Sequence, residues 1–161
     1  FSTSGKGVHL GVTSATSSNL LDDYEEGTWT PAIIINSSAS GITYTSRSAE
    51  YIKIGKQVFV NGDIQLSDKG SSSGSVQLTS LPFTVDDRTG GTSIDGGAGL
   101  CAFSSGTSSI HTPIGIVGRG GEINANFYVS GSSGSTMSSN LGHSNIADSF
   151  SIRFSLTYTT T

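Results

Sequence analysis

Apolar and polar residues alternate one by one in two segments of this chain. That period of two indicates strands with one buried face. The clearest segment is 149–159, in which one face carries Phe150, Ile152, Phe154, Leu156 and Tyr158. Segment 122–130 repeats the pattern with Ile123, Ala125, Phe127 and Val129. Both segments are therefore predicted to be strands whose apolar faces lie in a core.

Nine short segments with strand character follow one another along the chain, separated by Gly, Ser and Asn. They cover about 29–36, 41–46, 49–54, 57–67, 74–80, 98–104, 113–118, 122–130 and 149–159. We find no helical period of useful length, no heptads and no internal repeat. The pattern predicts an all-β fold, and nine short strands favour an antiparallel β-sandwich.

The dipeptide Asn61-Gly62 usually marks a two-residue hairpin turn, but the residues around it predict a continuous strand. A hairpin here would pair Val60 with Asp63 and place a carboxylate on an apolar face. A continuous strand keeps the apolar residues of 58–66 in one phase. Gly62 is then expected at a bulge or at a close approach of another backbone.

Composition agrees with a folded domain rich in strands. Ser, Thr and Gly make up 71 of 161 residues, and Ile, Val and Thr number 40, which favours strands over helices. The 38 Leu, Ile, Val and Phe residues supply enough apolar area to fold. The length suits one domain, which we place at 21–161, preceded by an extended arm at 1–20.

The charge balance argues against a nucleic-acid partner. The formal net charge is −4 and the isoelectric point is near 5.1, whereas nucleic-acid binding needs clustered Lys and Arg. No apolar run is long enough to cross a bilayer. Cys101 is the single cysteine, interpreted as a small buried residue, and the lack of disulfides favours assembly in a reducing cytoplasm. Because the chain begins at Phe1 and not Met, we expect a fragment or processed piece of a longer protein.

The sequence does not carry the spacings that most catalytic and cofactor sites require. His9, His111 and His143 are far apart for a zinc site, and phosphate-binding loops and nucleophile elbows are missing. We therefore predict no cofactor, no metal and no enzymatic activity. The acidic residues are interpreted as solvating a hinge and a loop tip, and glycoside hydrolysis or a calcium ion stay open as alternatives. These acids are Asp22, Asp23, Glu25, Glu26, Asp86, Asp87 and Asp95.

Aromatic side chains are the natural candidates for stacking on sugars. They are Tyr24, Trp29, Tyr44, Tyr51 and Tyr128. Trp29 opens an apolar strand and is interpreted as core or subunit interface. Tyr128 faces opposite to Phe127 in its predicted strand and is the best of the five for an exposed role.

Three segments of the chain, with the tripeptide Thr43-Tyr44-Thr45 between the first and the second, carry a family resemblance. Residues 21–31 read Leu-Asp-Asp-Tyr-Glu-Glu-Gly-Thr-Trp-Thr-Pro, residues 51–58 read Tyr-Ile-Lys-Ile-Gly-Lys-Gln-Val, and residues 81–83 read Leu-Pro-Phe. This order closely resembles a pattern near the start of C-terminal domains of bacteriophage tail fibres and tailspikes. The resemblance covers about 20–84. Its motif residues are Asp22, Asp23, Tyr24, Glu25, Glu26, Gly27, Trp29, Pro31, Tyr51, Lys53, Gly55, Pro82 and Phe83, which we interpret as scaffold.

The resemblance implies a jelly-roll-like β-sandwich that forms homotrimers at the distal tip of a fibre on the virion and contacts the host surface. The arm at 1–20 would then connect to a fibre shaft. The partners would be two further copies, the rest of the fibre, and a host polysaccharide or lipopolysaccharide. A capping or trimerising role with recognition elsewhere, and a depolymerase role, are the alternatives.

Ligand contacts are expected in loops, since the motif itself is interpreted as scaffold. The candidate loops are 86–97, 104–112 and 130–147. The candidate ligand-binding residues are Asp86, Asp87, Arg88, His111, Tyr128 and His143.

Overall fold

Nearly every apolar segment of the sequence becomes a strand in the computed structural model, which describes residues 7–9, 11, 20–21, 23–88, 90, 96–107, 114–129 and 139–161. The strands are β1 (Val8–His9), β2 (Leu20–Leu21), β3 (Tyr24–Trp29), β4 (Ala32–Ile35), β5 (Ile42–Ile54), β6 (Gln57–Lys69), β7 (Val76–Thr79), β8 (Gly97–Thr107), β9 (Ile114–Gly118), β10 (Ala125–Val129), β11 (Ser139–Asn140) and β12 (Ile146–Thr159). One short 3-10 helix lies at His143–Asn145. The predicted all-β, antiparallel architecture is confirmed.

Ten of these strands form one antiparallel sheet in the order β3-β5-β6-β12-β8-β9-β10-β7-β4, with β11 beside β10. The sheet curls so that its two halves face each other across a core. We call β3-β5-β6-β12-β8 layer A, and β9-β10-β7-β4 with β11 layer B. Strands β1 and β2 pair with each other at the start of the chain.

Strands β3 and β4 stand at opposite ends of the sheet order although only Thr30-Pro31 separates them. The sequence pattern predicted a single strand over 29–36. Pro31 is buried and has no N–H to donate to a ladder, so pairing stops there. The chain then passes from layer A to layer B.

The inner faces of the layers build one core, and β12 lies at its centre. Its five predicted core residues are all buried: Phe150, Ile152, Phe154, Leu156 and Tyr158. Layer B contributes buried residues that include Ile33, Leu78 and Phe127. The predicted apolar face of 149–159 is therefore confirmed in full.

Gly62 lies inside a continuous β6, as the pattern predicted, and not in a turn. It pairs with Ala49 on one side and with Phe154 on the other, without a register shift. A Cβ at this position would lie 2.5 Å from the Cβ of Ala49. The glycine thus permits a close approach of neighbouring groups and does not mark a bulge.

Other boundaries differ from the predicted ones. Segments 41–46 and 49–54 form one strand, β5, whose register with β6 shifts between Thr43 and Ser46. Strand β8 continues to Thr107, so 104–107 is strand and not loop. Ile123 was placed on an apolar face, but the chain turns here, since the N–H of Arg119 donates to the oxygen of Asn124 at 2.9 Å. Ile123 is therefore exposed. No helix in the described ranges is long and apolar enough to cross a membrane.

Candidate functional site

Asp86 and Arg88 lie against the carboxyl end of β12. The backbone N–H of Asp86 donates to the oxygen of Thr159 at 2.7 Å, and Nη2 of Arg88 donates to Oγ1 of Thr159 at 2.7 Å. Nε of Arg88 is 4.0 Å from the Asp86 carboxylate, an exposed pair of small energetic weight. Asp87 accepts a hydrogen bond from the N–H of Gly90 at 2.8 Å. The bonds described here hold the loop in place.

His143 lies at the opposite end of the molecule, just before β12 begins. Its Nε2 is 3.2 Å from the oxygen of Gly70, and its backbone N–H donates to the oxygen of Gly74 at 2.9 Å. The 14 residues of β12 span roughly 45 Å. His143 and the group around Asp86 therefore cannot form one binding site. His111 lies outside the described residues.

The three motif segments meet at the β3 edge of layer A. Tyr51 donates to Oε1 of Glu25 at 2.6 Å, and its ring packs edge-on against Phe83 with centroids 5.3 Å apart. Lys53 pairs with Asp23 and lies 5.6 Å from the Phe83 ring centroid. These contacts join segments distant in sequence, which supports the interpretation of the motif as scaffold.

Other motif residues lie at the same edge of layer A, which we call the motif corner. Trp29 packs edge-on against Phe154 with centroids 6.1 Å apart. A Cβ on Gly27 would lie 2.9 Å from the Tyr51 ring, so the lack of a side chain at Gly27 leaves room for that ring. The N–H of Gly55 donates to the oxygen of Asp23 at 2.7 Å. Pro82 is half-buried, and Asp22 lies outside the described residues.

The two tyrosines of this corner, exposed Tyr24 and half-buried Tyr51, point in different directions. Tyr51 reaches Glu25 on the inner side, whereas Tyr24 donates to Glu26 at 2.5 Å on the outer side. In both cases the bond to the carboxylate is the main cause that raises the pKa of the phenol. Both phenols therefore stay protonated donors at neutral pH.

The strongest candidate for a ligand site is a pocket of about 260 Å³ on the outer side of layer B. The described residues that line it are all polar: Asn36, Ser37, Ser75, Gln77, Arg119, Asn126 and Asn140. We call this the amide pocket. Tyr128 lies beside it, because it follows Asn126 by two residues on the same face of β10 and pairs with Asn140 across the ladder.

Gln77 and Asn126 form the floor of the amide pocket. They are cross-strand neighbours on β7 and β10, and Nε2 of Gln77 donates to Oδ1 of Asn126 at 2.6 Å. Both are less than a tenth exposed. A primary amide has two donor hydrogens and an acceptor oxygen with two lone pairs, so this single bond uses part of the capacity of each side chain.

The turn after β4 presents Asn36 and Ser37 to the amide pocket. Ile35 and Ser38 exchange two backbone hydrogen bonds, of 2.8 and 3.0 Å, around a two-residue loop in which Asn36 and Ser37 have φ of 49° and 65°. Such turns usually have glycine at the second position. Ser37 therefore holds a strained conformation while contributing a hydroxyl to the pocket lining.

Arg119 lines the amide pocket just after β9, and a chain of polar contacts begins at its guanidinium. Nη2 of Arg119 lies 3.1 Å from Glu122, Asn124 donates to Glu122 at 2.7 Å, and Thr79 donates to Asn124. Nε of Arg119 is buried and has no hydrogen-bond partner among the described residues. The ion pair thus fixes the direction of the guanidinium, and its Nε–H is unused among the described residues.

Of the six predicted ligand-binding residues, the structure places Tyr128 beside the amide pocket. In the structure Gln77 lies on the outer face of β7, between the core residues Val76 and Leu78. Residue type alone does not reveal that an outward amide is also buried. The unusual feature of the sequence is an amide side chain within each of two strands, β7 and β10, that pair in the sheet.

Comparison with protein-family models, with curated proteins and with solved structures finds no match for this chain. Within the described ranges, no group of three or more His, Cys, Asp or Glu side chains is arranged to hold a metal ion. The site must therefore be interpreted from its own chemistry.

Proposed function

We propose that this chain is the distal domain of a bacteriophage tail fibre or tailspike, and that it binds a polysaccharide or lipopolysaccharide of the host surface. Three copies assemble at the fibre tip, and the amide pocket of each copy holds one sugar residue. The domain attaches the virion and does not cleave the glycan. The motif in 21–83 supports the fibre assignment.

The observation that carries the binding function is the lining of the amide pocket. Sugar hydroxyls both donate and accept hydrogen bonds, and amide side chains offer both roles on one rigid plane. The Gln77–Asn126 pair is held by its own hydrogen bond, so ligand binding fixes few new rotamers. The Tyr128 ring beside the pocket offers an apolar surface to the sugar ring.

Weak single sites are enough for attachment when copies act together. The second and third contacts of a trimer with one polysaccharide are intramolecular, and linked binding can exceed single-site affinity by about 10²–10⁴. A small polar pocket with few charges fits this mode, because long repeating glycans offer the same sugar many times.

The test is binding of the purified protein to an array of bacterial surface polysaccharides, followed by titration of the best one. Asn140→Ala and Ser37→Gly each remove a polar group from the amide pocket, and we expect roughly three- to tenfold weaker binding for each. Ser37→Gly also relaxes the turn and should raise stability by about 0.5–1 kcal/mol.

Lys56→Ala, an exposed residue between β5 and β6 that lies outside the amide pocket, is the control, and its affinity should equal that of the parent. Ser37→Gly separates binding from folding, because it should weaken sugar binding while it raises the stability of the fold. Equal affinity of Asn140→Ala, Ser37→Gly and the parent would exclude the amide pocket. Binding to none of the polysaccharides would favour a capping or trimerising domain.

A further inference from the structure

The outer side of layer A exposes five large apolar side chains. They are Tyr24, Ile52, Ile54, Phe59 and Leu100, which we call the apolar face. Leu100 is 73% exposed. Tyr24 pairs with Ile54, and Ile52 pairs with Phe59, so four of the five form one block over β3, β5 and β6. Contiguous patches of this kind mark interaction sites, unlike apolar residues scattered singly.

Part of the apolar face is a groove of about 390 Å³. Ile52 and Phe59 form its apolar floor, and Glu26 and Glu50 line it with negative charge. We call this the acidic groove. Within the described residues, Glu50 has no ion pair with a basic side chain, so its charge is available to a partner.

An apolar side chain with a basic neighbour lies on the same side of layer A as the acidic groove, on the far side of β12. Leu100 stands on β8 in the row that runs from Glu50 through Asn61 and Ser155. Arg153 lies beside Leu100. Asp63 is the cross-strand neighbour of Arg153, but their charged groups are not within 4.0 Å among the described residues. We call Leu100 the knob. It lies, with its basic neighbour Arg153, about 10 Å from the acidic groove.

We propose that the occupant of the acidic groove is a second copy of this chain, with its Leu100 on the floor of Ile52 and Phe59 and its Arg153 against Glu50. This deepens the proposed function by assigning the surface through which the copies assemble, and it rests on that function only for the number of copies. Because groove and knob are different parts of one face, every copy supplies one of each, and rotational symmetry can close the assembly.

The outer side of layer A, which includes the apolar face, is large enough to hold an interface between copies. Its five strands, spaced about 4.8 Å apart and up to 14 residues long, cover at most roughly 20 Å by 45 Å, about 900 Å². A stable interface needs about 800 Å² per partner. The contact would also join apolar surface at its centre to opposite charges around it, the usual anatomy of such surfaces.

The test is the mass of the 16.5 kDa chain by light scattering across a wide range of concentration. We expect a multiple of the single-chain mass for the parent and a single-chain mass for Leu100→Glu. Ile123→Glu is the matched control, because Ile123 is as exposed as Phe59 but lies outside the apolar face. It should keep the parent mass, and circular dichroism should show the β-sheet signal in all variants.

A charge exchange tests the polar part of the contact. Glu50→Arg and Arg153→Glu alone should each weaken the assembly about tenfold or more, and the double exchange should restore it. A parent that stays single at every concentration, or a Leu100→Glu variant that keeps the parent mass, would overturn the proposal. Assembly that begins only after removal of residues 1–21 would also overturn it and assign the face to that segment.

The result separates this inference from the proposed function. A mass of three chains supports both the interface and the fibre tip. A mass of two chains that Leu100→Glu abolishes supports the interface and contradicts the trimer. Loss of polysaccharide binding in Asn140→Ala with an unchanged mass supports the amide pocket independently.

Discussion

Layer A exposes Leu100 and Phe59 on its outer side, whereas layer B buries Gln77 and Asn126 on its own outer side. The inner sides of the two layers do not differ in this way, since both supply aliphatic and aromatic residues to one core. On a protein surface the informative observations are a large apolar patch that is exposed and a polar group that is buried. The described residues include an example of each, on opposite sides of the domain, and we propose a partner for each.

The largest effect on stability is expected when a phenylalanine of the core is replaced, and a phenylalanine of the apolar face should show a much smaller one. Phe127→Ala removes a fully buried ring and should lower the free energy of unfolding by about 3–5 kcal/mol. Phe59→Ala should cost about 1 kcal/mol or less in single chains, because its ring is 44% exposed. Urea denaturation in a Leu100→Glu background measures both. Equal losses would mean that Phe59 is packed within its own chain.

An intermediate effect is expected from the floor of the amide pocket. Gln77→Leu or Asn126→Leu alone leaves the other buried amide without its partner, at a cost of about 1–3 kcal/mol. The double variant replaces both polar groups and should cost less than the sum of the single changes. Denaturant unfolding of the three variants gives the coupling energy. Additive losses would contradict a direct bond between the two amides.

The smallest effect on stability is expected for changes at two neighbouring residues of β8, Leu100 and Cys101. The effect on the reactivity of a thiol at these positions should be large. Cys101 lies on the inner side, and burial raises the pKa of its thiol from 9.0 to about 12. At pH 8 its thiolate fraction is then about a thousandfold below that of an ordinary thiol. Iodoacetamide should label native Cys101 very slowly and Leu100→Cys, in a Cys101→Ala background, at an ordinary rate.

The pH dependence of this labelling has a defined sign. The folded state favours the neutral thiol, so the stability that Cys101 contributes is complete below pH 9 and is lost as the pH rises towards 12. Labelling of native Cys101 should accelerate over the same range. Rapid labelling at pH 8 would show that the thiol is open to solvent and would weaken the distinction between the two sides of β8.

The sequence predicted those parts of the fold that depend on local alternation. The apolar face of 149–159 and the continuity of β6 through Gly62 follow from a period of two, because a shift of one residue would expose the whole set. The pattern missed the break at Pro31 and the continuation of β5 through Ser46. There, sheet pairing with distant strands decides where a strand ends.

The candidate site was less accessible to sequence reasoning because it depends on pairings far apart in the chain. Gln77 and Asn126 become neighbours only through the β7–β10 ladder. The predicted residues Asp86 and His143 look similar in the sequence, as polar residues in polar loops, but β12 holds them at opposite ends of the molecule. The outward position of Tyr128 could be predicted because it depends on one strand alone.

The central place of β12 has a consequence for synthesis. This strand comes last among the twelve, yet it lies between β6 and β8 and pairs Thr159 with Gln57. While a ribosome is still making β12, β6 and β8 must each present a bare hydrogen-bonding edge, the kind of surface that recruits other chains. Folding therefore waits for the final strand and is slowed by long loop closure. We expect nascent chains to be the form most prone to aggregation.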